Sequence, residues 1–345
     1  MIDRIYKIQS WNNPQTYNHP VNSVNLRGGT HASACCLRVT NFSTLEACVP
    51  PVYFPFVGGN LVMRQLLIAF SLVIIVMLPS SLRSQTSSGA TYEVYALSYG
   101  IYPNFPVSAL LAGADKDRKI DLQMMVWLLR GPGGKNILVD TGCYHENVVK
   151  GKGIQNLIKA SEAIAKLGLS AADITDVVIT HMHWDHADGM DLFPKAKIWI
   201  QKEEYAYYTG AAWQAGGKHG GIEPEDVLTI VKLNTQNQVN LVDGDDREII
   251  DGIRVYTGGR HTFASQYVGV RTAGGTAIIA SDNMYLYENL EKHVPIAQTF
   301  DADSNLQAQD RMKQIASRAD LVIPGHDPLV FVKFPKPGNG VARIQ

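Results

Sequence analysis

The chain has 345 residues, enough for one large domain or two average ones, and its apolar (46%) and charged (18%) fractions are those of an ordinary globular protein. A formal net charge of −1, with no block of like charges, leaves no electrostatic footprint for nucleic acid and favours a small, weakly charged substrate. Of the four cysteines, Cys35, Cys36, Cys48 and Cys143, only the last falls beyond residue 63 and none forms a C-x-x-C pair, so the body of the chain is not stapled by disulfides.

Residues 1–62 carry scattered Pro, Asn, Gly and Ser without a sustained period and are expected to form no fold. Met63-Arg64-Gln65 then precedes an apolar run from Leu66 to Leu78, interrupted by Ser71, with Pro79 and a Ser-rich stretch to Ser88 behind it. A basic start, a short apolar centre and a small-residue exit are the marks of a secretory signal peptide. The run falls short of the ~20 residues of a membrane span. The expectation is a signal peptide and linker over 63–90, cleaved between Ser81 and Ala90. The mature protein would then be periplasmic or secreted, with no stable membrane span after cleavage. Met63 is read as the true start, and residues 1–62 as an over-extended reading frame.

From Tyr92 the pattern changes to short strands at 92–97, 122–129 and 137–139, the last running into Asp140-Thr141-Gly142. A helix is expected over 154–167, ended by Gly168, and a buried strand over 176–179. A strand at 198–200 and a short helix at 202–208 come next, then a Gly-rich stretch from Gly210 to Gly221 that reads as a mobile loop. Glu223-Pro224-Glu225-Asp226 suits a helix N-terminus. Strands at 239–242, 253–256, 267–271 and 276–280, a helix at 306–319 and a strand at 321–323 complete the series. Strands and helices alternate in groups, which implies two sheets packed face to face with helices outside, in one domain over 91–345.

The densest chemistry follows the strand at 176–179. Thr180-His181-Met182-His183-Trp184-Asp185-His186 sets three imidazoles and a carboxylate within six positions. His181 and His183 can point the same way from an extended segment, while Asp185 and His186 reach a second point after the chain turns. The pattern H-x-H-x-D-H therefore suggests two adjacent metal ions. Three later residues occupy equivalent places at strand exits: His261 after 253–256, Asp282 after 276–280 and His326 after Leu321-Val322-Ile323-Pro324-Gly325. His145, His219, His293 and Cys143 are read as non-ligands.

The order H-x-H-x-D-H, His261, Asp282, His326, together with Asp140-Thr141-Gly142, resembles the metallo-β-lactamase superfamily over residues 92–333. The resemblance implies an α+β fold, a four-layer αββα sandwich with metals at one edge. It implies that His181, His183 and His261 hold one ion, Asp185, His186 and His326 the other, and that Asp282 bridges them. The β-lactamases proper generally lack an acid at the position of Asp282. N-acyl homoserine lactone lactonases of the superfamily carry a Tyr three residues after it, and this chain reads Asp282-Asn283-Met284-Tyr285. Gln201–Tyr205 and Pro324-Gly325-His326-Asp327 resemble the same group. The third-histidine segment departs from the usual G-H-T-P-G-S: Arg260-His261-Thr262-Phe263-Ala264-Ser265 keeps His, Thr and Ser but not the flanking Gly and Pro.

Two divalent ions ~3.5–4 Å apart share a water, lower its pKa and present a bridging hydroxide as nucleophile. The expected function is thus opening of a lactone ring, that of N-acyl homoserine lactones foremost, with Asp185 shuttling the proton and Tyr285 stabilising the carbonyl oxygen. The cofactor is expected to be two Zn²⁺, with Co, Mn and Fe as alternatives. Hydrolysis of another ester, a thioester, a β-lactam or a phosphodiester is the second reading, and metal binding without turnover in an envelope protein the third. The oligomeric state stays open, a homodimer being one option. Tyr207, Tyr208 and Trp213 are candidates for an acyl pocket or for an ordinary apolar helix face.

Overall fold

Long β-branched and aliphatic runs decide the centre of the structure, a computed structural model that describes residues 89–345. The expected 1–62 extension and the expected signal segment, apart from Gly89 and Ala90, lie outside the described residues. β1 (Glu93–Pro106) and β2 (Lys119–Arg130) form a long antiparallel pair, and β3 (Asn136–Val139) adds to β2 antiparallel. β4 (Asp176–Val178), β5 (Lys197–Gln201) and β6 (Val239–Val242) extend the same sheet in parallel. A second sheet holds β7 (Arg247–Ile250), β8 (Ile253–Thr257), β9 (Gln266–Thr272), β10 (Gly275–Ser281) and β11 (Val322–Pro324). β12 (Val341–Arg343) returns to the edge of β1, giving the orders β12-β1-β2-β3-β4-β5-β6 and β11-β10-β9-β8-β7.

The two-residue period of the strands sorts their side chains into layers. Val94 and Ala96 of β1 and Met125, Trp127 and Leu129 of β2 face Ile253, Val255, Val268 and Ile279 of the second sheet. Tyr95, Leu97, Met124, Val126 and Leu128 point the other way. They are covered by α2 (Ala160–Ala165), α4 (Lys202–Tyr208) and α5 (Pro224–Thr235). Short helices α1 (Glu146–Val149) and α3 (Trp184–Ala187) sit in the loops of that half. On the far side α6 (Tyr287–Lys292) and α7 (Ala302–Ile315) bury Leu290, Ala308 and Met312 against Ile278 and Val322, and α8 (Val330–Lys333) precedes β12. These are the four layers of an αββα sandwich. β2 is buried on both faces, each full burial of such a side chain contributing about 1.5–3 kcal/mol.

Two expectations are corrected, and two strands are added. The helix expected over 154–167 is confined to Ala160–Ala165, because the chain before it pairs with β1. Ile101 and Gln155 exchange both backbone hydrogen bonds (2.9 and 2.8 Å), and Ile158 N–H donates to the Tyr99 carbonyl at 2.8 Å. The left-handed backbone of Asn156 (φ +52°) interrupts any helix there, and Ile154, Leu157 and Ile158 pack on the core from an extended segment. β7 and β12, each short and partly polar, carry too little alternation to be read in advance. The Gly-rich stretch is not loose: Trp213 Nε1 donates to the Tyr208 carbonyl (2.6 Å), and His219 stacks on Trp213 and hydrogen bonds to the Ala212 carbonyl (2.8 Å). Among the described residues no helix is long and apolar enough to cross a membrane.

The first turn of α5 contains an acid that does not face water. Asp226 is buried, its Oδ2 has no hydrogen-bond partner, and burial, then the Asp188 carboxylate beside it, pushes its pKa up to about 9. Asp188 in turn accepts from the backbone N–H groups of Tyr144 (2.6 Å) and His145 (3.0 Å) and meets His145 Nδ1 at 2.7 Å. Asp226 therefore keeps a proton that the unfolded chain releases near 3.8. The folded state binds the extra proton between these values, so the pair's contribution to stability falls as pH rises through that window. Asp226→Asn keeps a donor for Asp188 but cannot titrate. Its urea midpoint relative to the unsubstituted protein is expected to climb between pH 6 and pH 8, and a constant difference would contradict the assignment.

Candidate metal centre

Four strand ends supply the site. β4 runs through Ile179 into Thr180–His183 and α3; His261 lies in the β8–β9 loop, Asp282 directly follows β10, and His326 follows β11. Because these strands end at the same edge of the two sheets, residues separated by up to 145 positions (326 − 181) meet there, and His181, His186, His261, Asp282 and His326 are buried.

Seven residues converge as two groups that share one carboxylate. In the first, His183 Nδ1 lies 3.1 Å from His181 Nε2 and 2.8 Å from His261 Nε2. Asp282 Oδ2 lies 3.3 Å from His261 Nε2 and 3.7 Å from His181 Nε2. In the second, Asp282 Oδ1 is 3.2 Å from His186 Nε2 and 3.0 Å from His326 Nε2, and Asp185 Oδ2 is 3.6 Å from each of those nitrogens. A tetrahedral ion with bonds of 2.0–2.1 Å sets its donor atoms ~3.3 Å apart, the scale of these separations. His186 Nε2 and Asp282 Oδ1 are buried without a hydrogen-bond partner, although both are polar. Orphaned atoms aimed at a common point are what a cation would satisfy, so the residues fit a pair of divalent ions.

The remaining ring nitrogens are fixed by acceptors, which sets the tautomers. His186 Nδ1 meets Asp140 Oδ2 at 2.8 Å, His261 Nδ1 the Gln298 carbonyl at 2.9 Å and His326 Nδ1 the Gln123 carbonyl at 2.9 Å. His181 Nδ1 meets Thr180 Oγ1 at 3.0 Å, and His183 hydrogen bonds to the Gly220 backbone. Burial, then the surrounding imidazoles, holds His181 well below the ordinary histidine range; burial alone dominates for His183, lowered to about 4, and His261, lowered to about 3. These three present neutral lone pairs at pH 7. For His186 and His326 burial acts downward too, but Asp282 and Asp185 outweigh it and raise both. The second group is thus the more acidic half, and it gains most from a positive charge.

Residues 121–326, more than half of the chain, match the model of the metallo-beta-lactamase superfamily. The chain belongs to that superfamily. It is 28% identical over 224 residues to an N-acyl homoserine lactonase of Bacillus sp., a match that covers 60% of this chain and 82% of the relative. Among solved structures, an N-acyl homoserine lactone hydrolase with the product N-hexanoyl-L-homoserine at its catalytic metal centre superposes with a TM-score of 0.58 at 22% identity, covering 71% of this chain and 97% of that one. The dizinc quorum-quenching lactonase AidC superposes at 0.54 with 19% identity, covering 74% and 97%.

Within this superfamily fold Tyr285 reaches the site. Its hydroxyl is 3.3 Å from His261 Nδ1, and its ring lies 5.4 Å from that of His261 and 5.8 Å from that of His326, so it touches one residue of each group. Trp184 packs under Lys152 (4.2 Å), Tyr207 stacks on Phe263 (4.0 Å), and Tyr208 and Trp213 turn into the packing of α4. Cys143, His145, His219 and His293 stand outside both groups.

Two acids matter more than the sequence reading suggests. Asp140, a left-handed residue (φ +61°) at the end of β3, accepts from Thr180 N–H (2.8 Å) and Thr180 Oγ1 (2.9 Å) besides holding His186. Glu204, fully buried in α4, accepts from Met182 N–H (3.1 Å), Thr262 Oγ1 (2.6 Å) and Ala264 N–H (2.7 Å), tying the first histidine loop to the third. Its neighbours Lys202 and Glu203 are exposed, and nothing in Lys202-Glu203-Glu204 singles out the buried acid. The Gln123 and Gln298 carbonyls carry no signal either, since every residue has a carbonyl. Removing an outer partner of this kind typically lowers metal affinity ~10–100-fold. Asp140→Asn is expected to show that loss for one ion and spare the other in chelator competition followed by metal analysis.

Proposed function

We propose that this protein is a dinuclear metal-dependent hydrolase that opens lactone rings, those of N-acyl homoserine lactones foremost. The observation that carries the reading is Asp282, which turns one oxygen to each ligand group, with Tyr285 against both. The names of curated relatives at 28% identity support the substrate class.

His181, His183, His261 and Asp282 would hold one ion, and Asp185, His186, His326 and Asp282 the other. Zinc suits the imidazole and carboxylate donors first, with cobalt, manganese and iron as alternatives. Such ions supply Lewis acidity and a water whose pKa is lowered toward neutrality. The other tasks fall to the chain. A buried tyrosine hydroxyl keeps its proton at neutral pH, so Tyr285 can donate a hydrogen bond to the lactone carbonyl oxygen as charge develops. Asp185 takes the proton of the attacking water with its free oxygen and returns it to the ring oxygen, so that lactone and water become hydroxyl and carboxylic acid. Trp184 and Tyr207 provide apolar surface for an acyl chain. Export is a separate proposal, tested by sequencing the mature N-terminus.

The metal-loaded protein is expected to open N-acyl homoserine lactones, and Tyr285→Phe to lower kcat ~10²–10³-fold, as loss of one donor to a developing oxyanion does elsewhere. KM should change far less. Absence of turnover on every lactone in a panel of acyl-chain lengths would refute the proposal.

A further inference from the structure

The loop that carries His261 borders a cavity of about 350 Å³, and none of the seven converging residues lines it. Its wall holds one base, Arg260, and one acid, Glu203, with Gln201, Thr257, Ser265 and Ser304 as further polar side chains. A volume of this size is that of a site for a small metabolite.

Arg260 is placed oddly for a structural residue. Its backbone is left-handed (φ +52°), a region that a non-glycine residue occupies under strain. Its Nε is buried without a hydrogen-bond partner, and the guanidinium makes no ion pair among the described residues. It lies over the Phe263 ring, 5.5 Å from the centroid, and Phe263 is held from its own side by the parallel Tyr207 ring. Glu204, a buried acid close enough to feel Arg260, is committed to Met182, Thr262 and Ala264. A planar donor fork, braced on an aromatic ring and left unpaired in a cavity, is the chemistry that recognises a carboxylate or a phosphate.

We propose that this cavity is a binding site for a small oxyanion, distinct from the metal centre, with the Arg260 guanidinium as its anchor. Glu203, exposed on the same wall, opposes a bare anion and selects ligands that carry a donor beside the anionic group. Since Arg260 is bonded to His261, an occupant sits one residue from the first ligand group.

The test is isothermal titration of the metal-loaded protein with inorganic phosphate and, separately, with acetate. The unsubstituted protein should show a binding event that Arg260→Gly weakens at least tenfold, Arg260→Lys weakens less, and Glu203→Gln tightens; the anion that binds more tightly distinguishes phosphate from carboxylate. Arg260→Gly relieves the left-handed strain, so its Tm should not fall, whereas a purely structural arginine would lower it on removal. Identical isotherms for the unsubstituted protein and Arg260→Gly with both anions would overturn the proposal. If that variant loses its fold, unchanged affinity in Glu203→Gln for both anions would do so instead.

Discussion

One buried carboxylate organises the functional edge of this molecule. Asp282 stands among four imidazole nitrogens at 3.0–3.7 Å, with one oxygen turned to each pair. Burying a charge is expensive unless it is compensated, and here compensation comes from two directions at once. Burial acts to raise the Asp282 pKa, yet His186 and His326 outweigh it and hold the carboxyl well below its usual range. An ionised acid shared by both groups would favour a cation at each.

The fold exists at this edge as a positioning device. β4 and β10 belong to different sheets, and Thr180 at the end of one hydrogen bonds to Ser281 at the end of the other (2.9 Å). Asp140 accepts from both Thr180 and Ser281, so β3, β4 and β10 are tied at a single carboxylate before any ligand is reached. Gln266 extends the tie to β9 by donating to the Ile179 carbonyl (2.8 Å). Precision of this kind keeps ligand atoms within fractions of an ångström, as metal geometry demands.

Much of this was legible in the amino-acid sequence. The H-x-H-x-D-H run and the three strand-exit residues that converge with it could be found because metal-binding chemistry uses few residue types, and buried strands leave dense apolar runs ahead of them. Helix α4 and strands β8 to β10 were readable for the same reason. What escaped was whatever depends on backbone or on a distant partner. Residues 154–158 carry an apolar pattern that suits a helix, yet they serve the exposed backbone of β1. β12 exists only because β1 offers an edge, and nothing in Val341–Arg343 announces it. Glu204 is marked only by distant partners, since Met182, Thr262 and Ala264 close around it in the fold.

The most direct measurement is the number of ions bound per chain, by elemental analysis of the purified, metal-loaded protein and of Asp282→Ala. If Asp282 joins two sites, the unsubstituted protein holds two equivalents tightly and the variant retains at most one. A single tightly held equivalent in the unsubstituted protein, or two held with unchanged affinity in Asp282→Ala, would contradict the account.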